Sequence, residues 1–208
     1  MISTIITAGG LSSRFGENKL LVKIGSMSVI EHTISKFLNV SDEIIIPTTK
    51  PTRDFIESSS VYDRKKITFA PFGKTRQESV YNALCLCKYN DYVLIHDGAR
   101  PFIEQSDILK IIEEVKEKNA ICSGVFAIDT IKITNEKGII EKTIDRKKVF
   151  QAQTPQAFRY DLIMEAHKKF SGSDSFTDDS SMIEALGKSV YIFENTAGNK
   201  KITTPADL

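Results

Sequence analysis

Apolar positions along the chain alternate between short strand-like runs and longer stretches with helical spacing. Buried strands are predicted at residues 2–8, 43–47, 66–70, 92–96, 124–128 and 189–194. Helices are predicted at residues 27–38, 75–87, 106–118, 161–169 and 178–186. This alternation predicts an α/β fold with a mostly parallel sheet that helices cover on both faces. Such sheets bind ligands beyond the carboxyl ends of their strands, so the loops after strands are the first candidates for a site.

Residues 130–144 interrupt this alternation. Two stretches of alternating polar and apolar residues, 130–134 and 139–144, flank a turn that contains Gly138 and therefore predict an inserted β-hairpin. A hairpin of this kind covers a site, pairs with a second subunit or simply forms a sheet edge, and the pattern alone leaves these roles open. We treat the 208 residues as one domain, 1–208, with an arm at about residues 130–152.

The composition narrows the class of protein. Lys and Arg number 28 and Asp and Glu 27, a net charge of +1 that disfavours a general nucleic-acid binder. No run approaches the roughly 18 apolar residues of a membrane span. Cys85, Cys87 and Cys122 lack the spacing of a disulfide framework or a zinc site. We therefore expect a cytoplasmic enzyme or binding protein that contacts neither nucleic acid nor membranes.

A glycine-rich loop follows the first predicted strand. Gly9 and Gly10 allow backbone N–H groups to approach phosphate oxygens, and Arg14 and Lys19 carry charges that can neutralise a triphosphate. The loop matches neither a P-loop nor a G-x-G-x-x-G dinucleotide fingerprint. A purely structural turn between strand and helix is the competing interpretation.

The loop at residues 72–79 follows the third predicted strand. Thr75 and Glu78 have the spacing of a capping box at the start of the next helix. Gly73 and Ser79 lie in the same segment and can meet a base or a ribose. We therefore expect Thr75 and Glu78 to cap the helix, and Gly73 and Ser79 to contact a ligand.

Asp97 follows the fourth predicted strand directly. A carboxylate in this position suits Mg²⁺, the ion that accompanies a nucleoside triphosphate, and Arg100 can bind a phosphate through two parallel hydrogen bonds. An Asp-Gly turn with a surface arginine is the alternative. Residues 145–158 and 199–208 are further candidates, although each one alone is typical of a basic loop or a helix start.

Taken together, these segments carry a specific combination of motifs. In chain order they are AGG followed by R, TRQESV, VLIHDGARPF, DTIK, TIDR, QTPQAF, TDDSS and NKKITTPADL. The combination resembles the 2-C-methyl-D-erythritol 4-phosphate cytidylyltransferase family of the non-mevalonate isoprenoid pathway. The resemblance implies a Rossmann-like nucleotidyltransferase fold, a mostly parallel mixed sheet with an inserted β-hairpin arm, and a homodimer formed through that arm.

The resemblance also implies a role for each matching residue. The implied catalytic cations are Arg14, Lys19 and Lys201. The implied CTP-binding residues are Ala8, Gly9, Gly10, Gly73 and Ser79. The implied acceptor-binding residues are Asp97, Arg100, Thr130, Arg146 and Thr154, with Asp97 also the Mg²⁺ ligand. Thr130 and Arg146 lie on the arm and would serve the site of the partner subunit.

The implied reaction joins CTP to a polyol phosphate. The phosphate oxygen of 2-C-methyl-D-erythritol 4-phosphate attacks the α-phosphorus of CTP, and pyrophosphate leaves in line. The related ribitol 5-phosphate cytidylyltransferases are the main alternative, and a nucleotide-binding module without catalysis is a second. A nicotinamide-dependent oxidoreductase is disfavoured, because the dinucleotide fingerprint is absent. Phe72 and Lys74 depart from the family, which commonly has a glycine and an acid there.

Overall fold

The computed structural model describes residues 1–10, 15–16, 18–61, 64–173, 175–196 and 198–208. The strands are β1 Ile2–Thr7, β2 Lys23–Ile24, β3 Met27–Ser28, β4 Glu43–Thr48, β5 Ile67–Pro71, β6 Tyr92–Asp97, β7 Ala120–Phe126, β8 Ile131–Thr134, β9 Ile140–Ile144, β10 Phe150–Arg159 and β11 Tyr191–Glu194. The α-helices are α1 Val29–Phe37, α2 Lys50–Ser58, α3 Arg76–Leu84, α4 Gln105–Lys118, α5 Tyr160–Lys169 and α6 Asp179–Ala185. Short 3₁₀ turns lie at Arg64–Lys66, Arg146–Lys148 and Pro205–Asp207.

The core of the fold is a seven-stranded sheet in the order β11-β7-β10-β6-β1-β4-β5. All of its strands run parallel to one another except β10, which is antiparallel to both neighbours. Apolar side chains of α1 and α4 pack on one face of the sheet, and those of α3, α5 and α6 pack on the other. The predicted α/β class with a mostly parallel mixed sheet is therefore confirmed.

Local capping interactions determine where the helices start. Ser28 caps α1 through a complete capping box with Glu31, so the helix begins two residues later than predicted. Thr75 caps α3 by accepting the N–H of Glu78, as predicted, but the carboxylate of Glu78 accepts the N–H of Lys74 instead of completing the box. Only half of the predicted capping box therefore forms.

Several predicted element boundaries were wrong. Helix α4 begins at Gln105 and not at Ser106, and the residue at its N-cap position is Glu104; the N-cap expected at Ser106 from its hydroxyl therefore does not form. Strand β7 begins at Ala120, four residues before the predicted start, because Asn119 ends α4 in the left-handed conformation and the chain turns immediately. Helix α2 was not predicted. It buries only Thr52 and Ile56, and its sequence is largely polar, so too few apolar positions mark it as a helix.

Strand β10 is the main correction to the sequence-based topology. Its residues belong to the segment that resembled a basic loop or a helix start, yet they form a strand between β6 and β7. Proline is rare in central strands because it cannot donate to the ladder. Here Pro155 lies where the register shifts between Ala152 and Gln156, so the ladder is already interrupted at that point.

The predicted hairpin forms from β8 and β9, which pair antiparallel with Ile131 opposite Ile144. It is shorter than the expected arm at about residues 130–152, because Phe150 to Ala152 already pair with β7 in the main sheet. No helix within the described ranges is long and apolar enough to cross a membrane.

Candidate active site

A cavity of about 370 Å³ opens where β1, β5 and β6 end. The sequence-predicted residues that line it are Gly9, Gly10, Lys19, Ser79, Asp97 and Lys201. The cavity is also lined by Phe72, Lys74 and Arg76, for which no motif predicts a binding role. The cavity thus lies at the carboxyl edge of the parallel strands, where the fold class predicts a ligand.

Two glycines in the cavity wall are closely packed. A Cβ on Gly9 would overlap the side-chain ring of Phe72, and a Cβ on Gly98 would lie 2.8 Å from the carbonyl oxygen of Thr7. Gly98 therefore excludes a larger residue because backbone lies against it, whereas a side chain at Gly9 would require the Phe72 ring to move. Ala8, just before the loop, is buried and bridges to Thr48 of β4, whose hydroxyl donates to the Ala8 carbonyl.

Ser79 holds the loop after β5 in place. Its hydroxyl donates to the carbonyl of Thr75 at 2.8 Å and accepts the N–H of Gly73 at 3.0 Å. Gly73 also cannot carry a side chain, because a Cβ would lie 2.6 Å from the Cβ of Glu78. Ser79 is buried, so within the subunit it fixes the backbone that forms this wall of the cavity.

Three cations surround the carboxylate of Asp97. Its Oδ2 lies 2.9 Å from Nζ of Lys201 and 3.3 Å from Nε of Arg100. Its Oδ1 lies 3.8 Å from Nε of Arg76, beyond hydrogen-bond distance. Burial by itself would raise the pKa of Asp97, but the charges of Arg76, Lys201 and Arg100 outweigh it, so that the pKa lies well below its usual value.

A buried chain of hydrogen bonds supports Asp97 from below the cavity. The N–H of Asp97 donates to Oγ1 of Thr154 at 3.0 Å, and the same oxygen lies 3.2 Å from Nδ1 of His96. Nε2 of His96 lies 3.0 Å from the carbonyl oxygen of Arg100, so this nitrogen carries the proton and Nδ1 accepts from Thr154. Thr154, expected to contact the acceptor, therefore lies in the supporting layer and not on the cavity wall.

Burial also determines the protonation state of His96. The ring is fully buried, and desolvation lowers its pKa from the usual 6.5 to about 4. The imidazole is therefore neutral near pH 7, with both nitrogens in hydrogen bonds. Because the ring is buried and both nitrogens are hydrogen-bonded, His96 is not placed to act as a base toward a ligand in the cavity.

The C-terminal segment brings Lys201 to the cavity. Asn199 donates to the Thr154 carbonyl, and its own carbonyl accepts from Nη1 of Arg100 at 2.8 Å. The N–H of Ile202 donates to the Ala99 carbonyl at 2.8 Å. The segment thus adds backbone contacts to both the loop after β6 and strand β10.

Lys19 reaches the same segment from the glycine-rich side. Its Nζ donates to the Ile202 carbonyl at 2.8 Å, so Lys19 and Lys201 line one cavity although they are far apart in sequence. Arg14 lies outside the described residues. Thr130 and Arg146 are exposed and do not line this cavity. Arg146 instead donates from Nη1 to the carbonyl of Ile128 at the base of the arm.

Asp97 is the residue that suits a divalent cation. Its Oδ1 accepts no hydrogen bond from the described residues, while Oδ2 is occupied by Arg100 and Lys201. In the described part of the chain, no three His, Cys, Asp or Glu side chains cluster as a metal site. One carboxylate oxygen beside a phosphate site is a common arrangement for Mg²⁺, which takes its other ligands from phosphates and water.

Comparisons with known proteins cover the whole chain. The model of the 2-C-methyl-D-erythritol 4-phosphate cytidylyltransferase family matches residues 2–208. Curated relatives with that name from Clostridium beijerinckii and Clostridioides difficile are 39% and 41% identical over the whole of this chain, which spans 95% and 91% of their lengths. A solved 4-diphosphocytidyl-2C-methyl-D-erythritol synthase from Anaerococcus prevotii is 32% identical, with a TM-score of 0.87 over 99% of this chain and 94% of that one.

The buried His96 predicts a pH dependence of stability. The unfolded chain takes up a proton as the pH falls through about 6.5, whereas the folded chain does so only near pH 4. Folding stability should therefore decrease between these two values, by about 3 kcal/mol from this residue. Urea unfolding of the wild type and of His96→Asn at several pH values measures the contribution, and the free energy of unfolding of the variant should depend less steeply on pH.

Nitrogen NMR of the His96 ring supplies an independent check, and titration near pH 6.5 in the folded protein would contradict the prediction.

Proposed function

This chain belongs to the 2-C-methyl-D-erythritol 4-phosphate cytidylyltransferase family, and we propose that it transfers CMP from CTP to 2-C-methyl-D-erythritol 4-phosphate. The products are pyrophosphate and 4-CDP-2-C-methyl-D-erythritol. The observation that carries this proposal is the cationic cavity around Asp97, at the carboxyl ends of parallel strands, in a chain that matches the family over residues 2–208.

The reaction requires alignment and charge stabilisation more than proton transfer. The attacking group is a phosphate oxygen that is already anionic, so no strong general base is needed. Two polyanions must instead be brought together, and the charge that develops on the α-phosphate must be stabilised. Lys19 and Lys201 line the cavity and supply positive charge for this purpose. The family motif assigns the same role to Arg14, which lies outside the described residues.

The nucleotide would lie between the two loops that border the cavity. Gly9 and Gly10 form one wall, where their backbone can approach phosphates, and Gly73 and Ser79 shape the opposite loop for the cytidine. Ala8 anchors the first loop to β4 through Thr48. Ala8, Gly9, Gly10 and Gly73 would act through the position of their backbone, and Ser79 through its hydroxyl, which holds Gly73 in place.

Asp97 would hold Mg²⁺ through Oδ1. The cation, when bound, neutralises triphosphate charge and orients the leaving pyrophosphate. Arg100 and Lys201 fix the carboxylate from its other oxygen, and Thr154 fixes the backbone of the same residue. Asp97 is therefore presented in one orientation before substrate arrives.

The acceptor site would be completed by a second subunit. Thr130 and Arg146 are placed on or beside an arm that exposes several isoleucines, with Ile139 at 59% and Ile140 at 58%. A two-stranded hairpin with such side chains is poorly suited to remain alone in water. We propose a twofold dimer in which the arm carries Thr130 and Arg146 to the site of the partner.

An assay with alternative acceptors tests the proposed reaction. Pyrophosphate release from CTP is expected with 2-C-methyl-D-erythritol 4-phosphate and Mg²⁺, and it should stop in excess EDTA. Ribitol 5-phosphate serves as the matched acceptor because it is also a polyol phosphate. A higher kcat/KM with ribitol 5-phosphate would contradict the assigned substrate, and no turnover with either acceptor would contradict the proposed activity.

Replacing Lys201 tests the role of the cationic cluster. Lys201→Ala should lower kcat by about 100-fold, the scale of losing one charged contact to the transition state. Lys200→Ala is the control, because this neighbouring side chain is exposed and pairs with Asp207 at 2.8 Å. Steady-state kinetics should show near wild-type kcat for the control. Equal losses in both variants would indicate a general disturbance of the C-terminal segment.

Mixed dimers test whether the arm serves the partner. Lys201→Ala and Arg146→Ala chains should each have low activity alone. A mixed dimer then contains one site with both wild-type residues, so activity should return to as much as half that of a wild-type dimer. Subunit exchange is verified with two affinity tags. No recovery after verified exchange would contradict the shared site, and a monomer by light scattering would contradict the dimer.

A further inference from the structure

A buried carboxylate lies behind the cavity wall and has no role in the proposed reaction. Asp179 is the first residue of α6, and its side chain is 1% exposed. Its Oδ2 accepts from Nη1 of Arg76 at 2.7 Å, and its Oδ1 lies 3.3 Å from Nε2 of the buried His167. The carboxylate therefore makes its strongest contact with a cation that lines the cavity.

Arg76 lies between two carboxylates that hold it unequally. Nη1 makes a short hydrogen bond to Asp179, whereas Nε stays 3.8 Å from Oδ1 of Asp97. Burial by itself would lower the pKa of Arg76, but Asp179 and then Asp97 raise it above its usual value, so the guanidinium stays charged. An arginine with this charge would move toward Asp97 if the competing bond were lost.

Movement of Arg76 would affect one particular oxygen. Oδ2 of Asp97 is already occupied by Arg100 and Lys201, whereas the ion-pair contact of Oδ1 within the described residues is with Arg76. Oδ1 is also the atom that suits a divalent cation. The position of Arg76 thus determines whether that oxygen remains available.

We propose that Asp179 is a positioning residue that retains Arg76 and so keeps Oδ1 of Asp97 accessible to a divalent cation. The inference rests on the proposed function, which places CTP and the cation at Asp97. Asp179 itself touches neither ligand. Asp179 acts through Arg76, which it contacts on the side away from Asp97. The other carboxylate oxygen of Asp179, Oδ1, is held by His167.

The proposal predicts a specific change in the coupling between cation and nucleotide. CTP affinity is measured by calorimetry in Mn²⁺ and in EDTA, without acceptor so that no turnover occurs. The ratio of the two affinities reports how much the cation contributes at this site. Asp179→Asn should reduce this ratio roughly tenfold, the usual scale when a residue that orients a metal ligand is lost.

A second substitution distinguishes positioning from a general structural effect. Arg76→Gln in the Asp179→Asn background removes the guanidinium that would approach Oδ1, so the ratio should return toward that of wild type. Glu43→Gln is the matched control, since it neutralises a buried carboxylate at the opposite end of the sheet. This variant should leave the ratio unchanged. Asp179→Ser replaces Asp179→Asn if circular dichroism shows that the latter is unfolded.

The outcomes separate this inference from the proposed function. If wild type binds CTP equally well in Mn²⁺ and in EDTA, cation binding at Asp97 is wrong and the present proposal fails with it. If wild type shows the coupling and folded Asp179→Asn or Asp179→Ser retains it, Asp179 is only a structural residue and the proposal is overturned. The proposal is also overturned if the double variant remains as impaired as the single variant.

Discussion

The ionic contacts of Asp97 are the constraint on which the rest of the site depends. The carboxylate stands at the end of β6, the central strand of the sheet, where its residue pairs in register with Thr7 of the neighbouring strand β1. Moving a charge into this largely buried position is unfavourable unless opposite charges and hydrogen bonds compensate. Lys201, Arg100 and Arg76 provide the charges, and each comes from a different part of the chain. The requirement to compensate one carboxylate therefore ties together the C-terminal segment, the loop after β6 and the start of α3.

The antiparallel strand β10 makes this arrangement possible. It lies beside β6, and Thr154 in it accepts the N–H of Asp97 and approaches His96. Its backbone also receives the amide of Asn199, which anchors the segment that carries Lys201. One strand thus contributes to the sheet and to the support of the charged cluster around Asp97. A helix in its place could not present the same groups to β6.

Features that depend on local sequence patterns were predicted, whereas features that depend on contacts between residues distant in sequence were missed. The parallel strands follow from short apolar runs, and the arm follows from local alternation of polar and apolar residues. The loops after the strands and the family motifs identified Asp97, Lys19 and Lys201, which line one cavity. Strand β10 was missed because Gln, Thr and Pro do not have a strand-like pattern, and its pairing partners lie far away in sequence. Arg76 lay within a quoted motif yet received no role, because its significance comes from Asp179, which is 103 residues away.

Mutual repulsion among the cations explains why a cavity for polyanions also contains acids. Lysines and arginines gathered to bind phosphates would repel one another while the site is empty. Asp97 and Asp179 counter that repulsion and fix the positions of Arg76 and Lys201 before a nucleotide arrives. Fixed charges need less reorganisation when the transition state forms, which is the main advantage of such a site over water. The two carboxylates therefore have different roles, because Asp97 faces the cavity and is available to the ligands, whereas Asp179 stays buried and keeps the cationic wall in place.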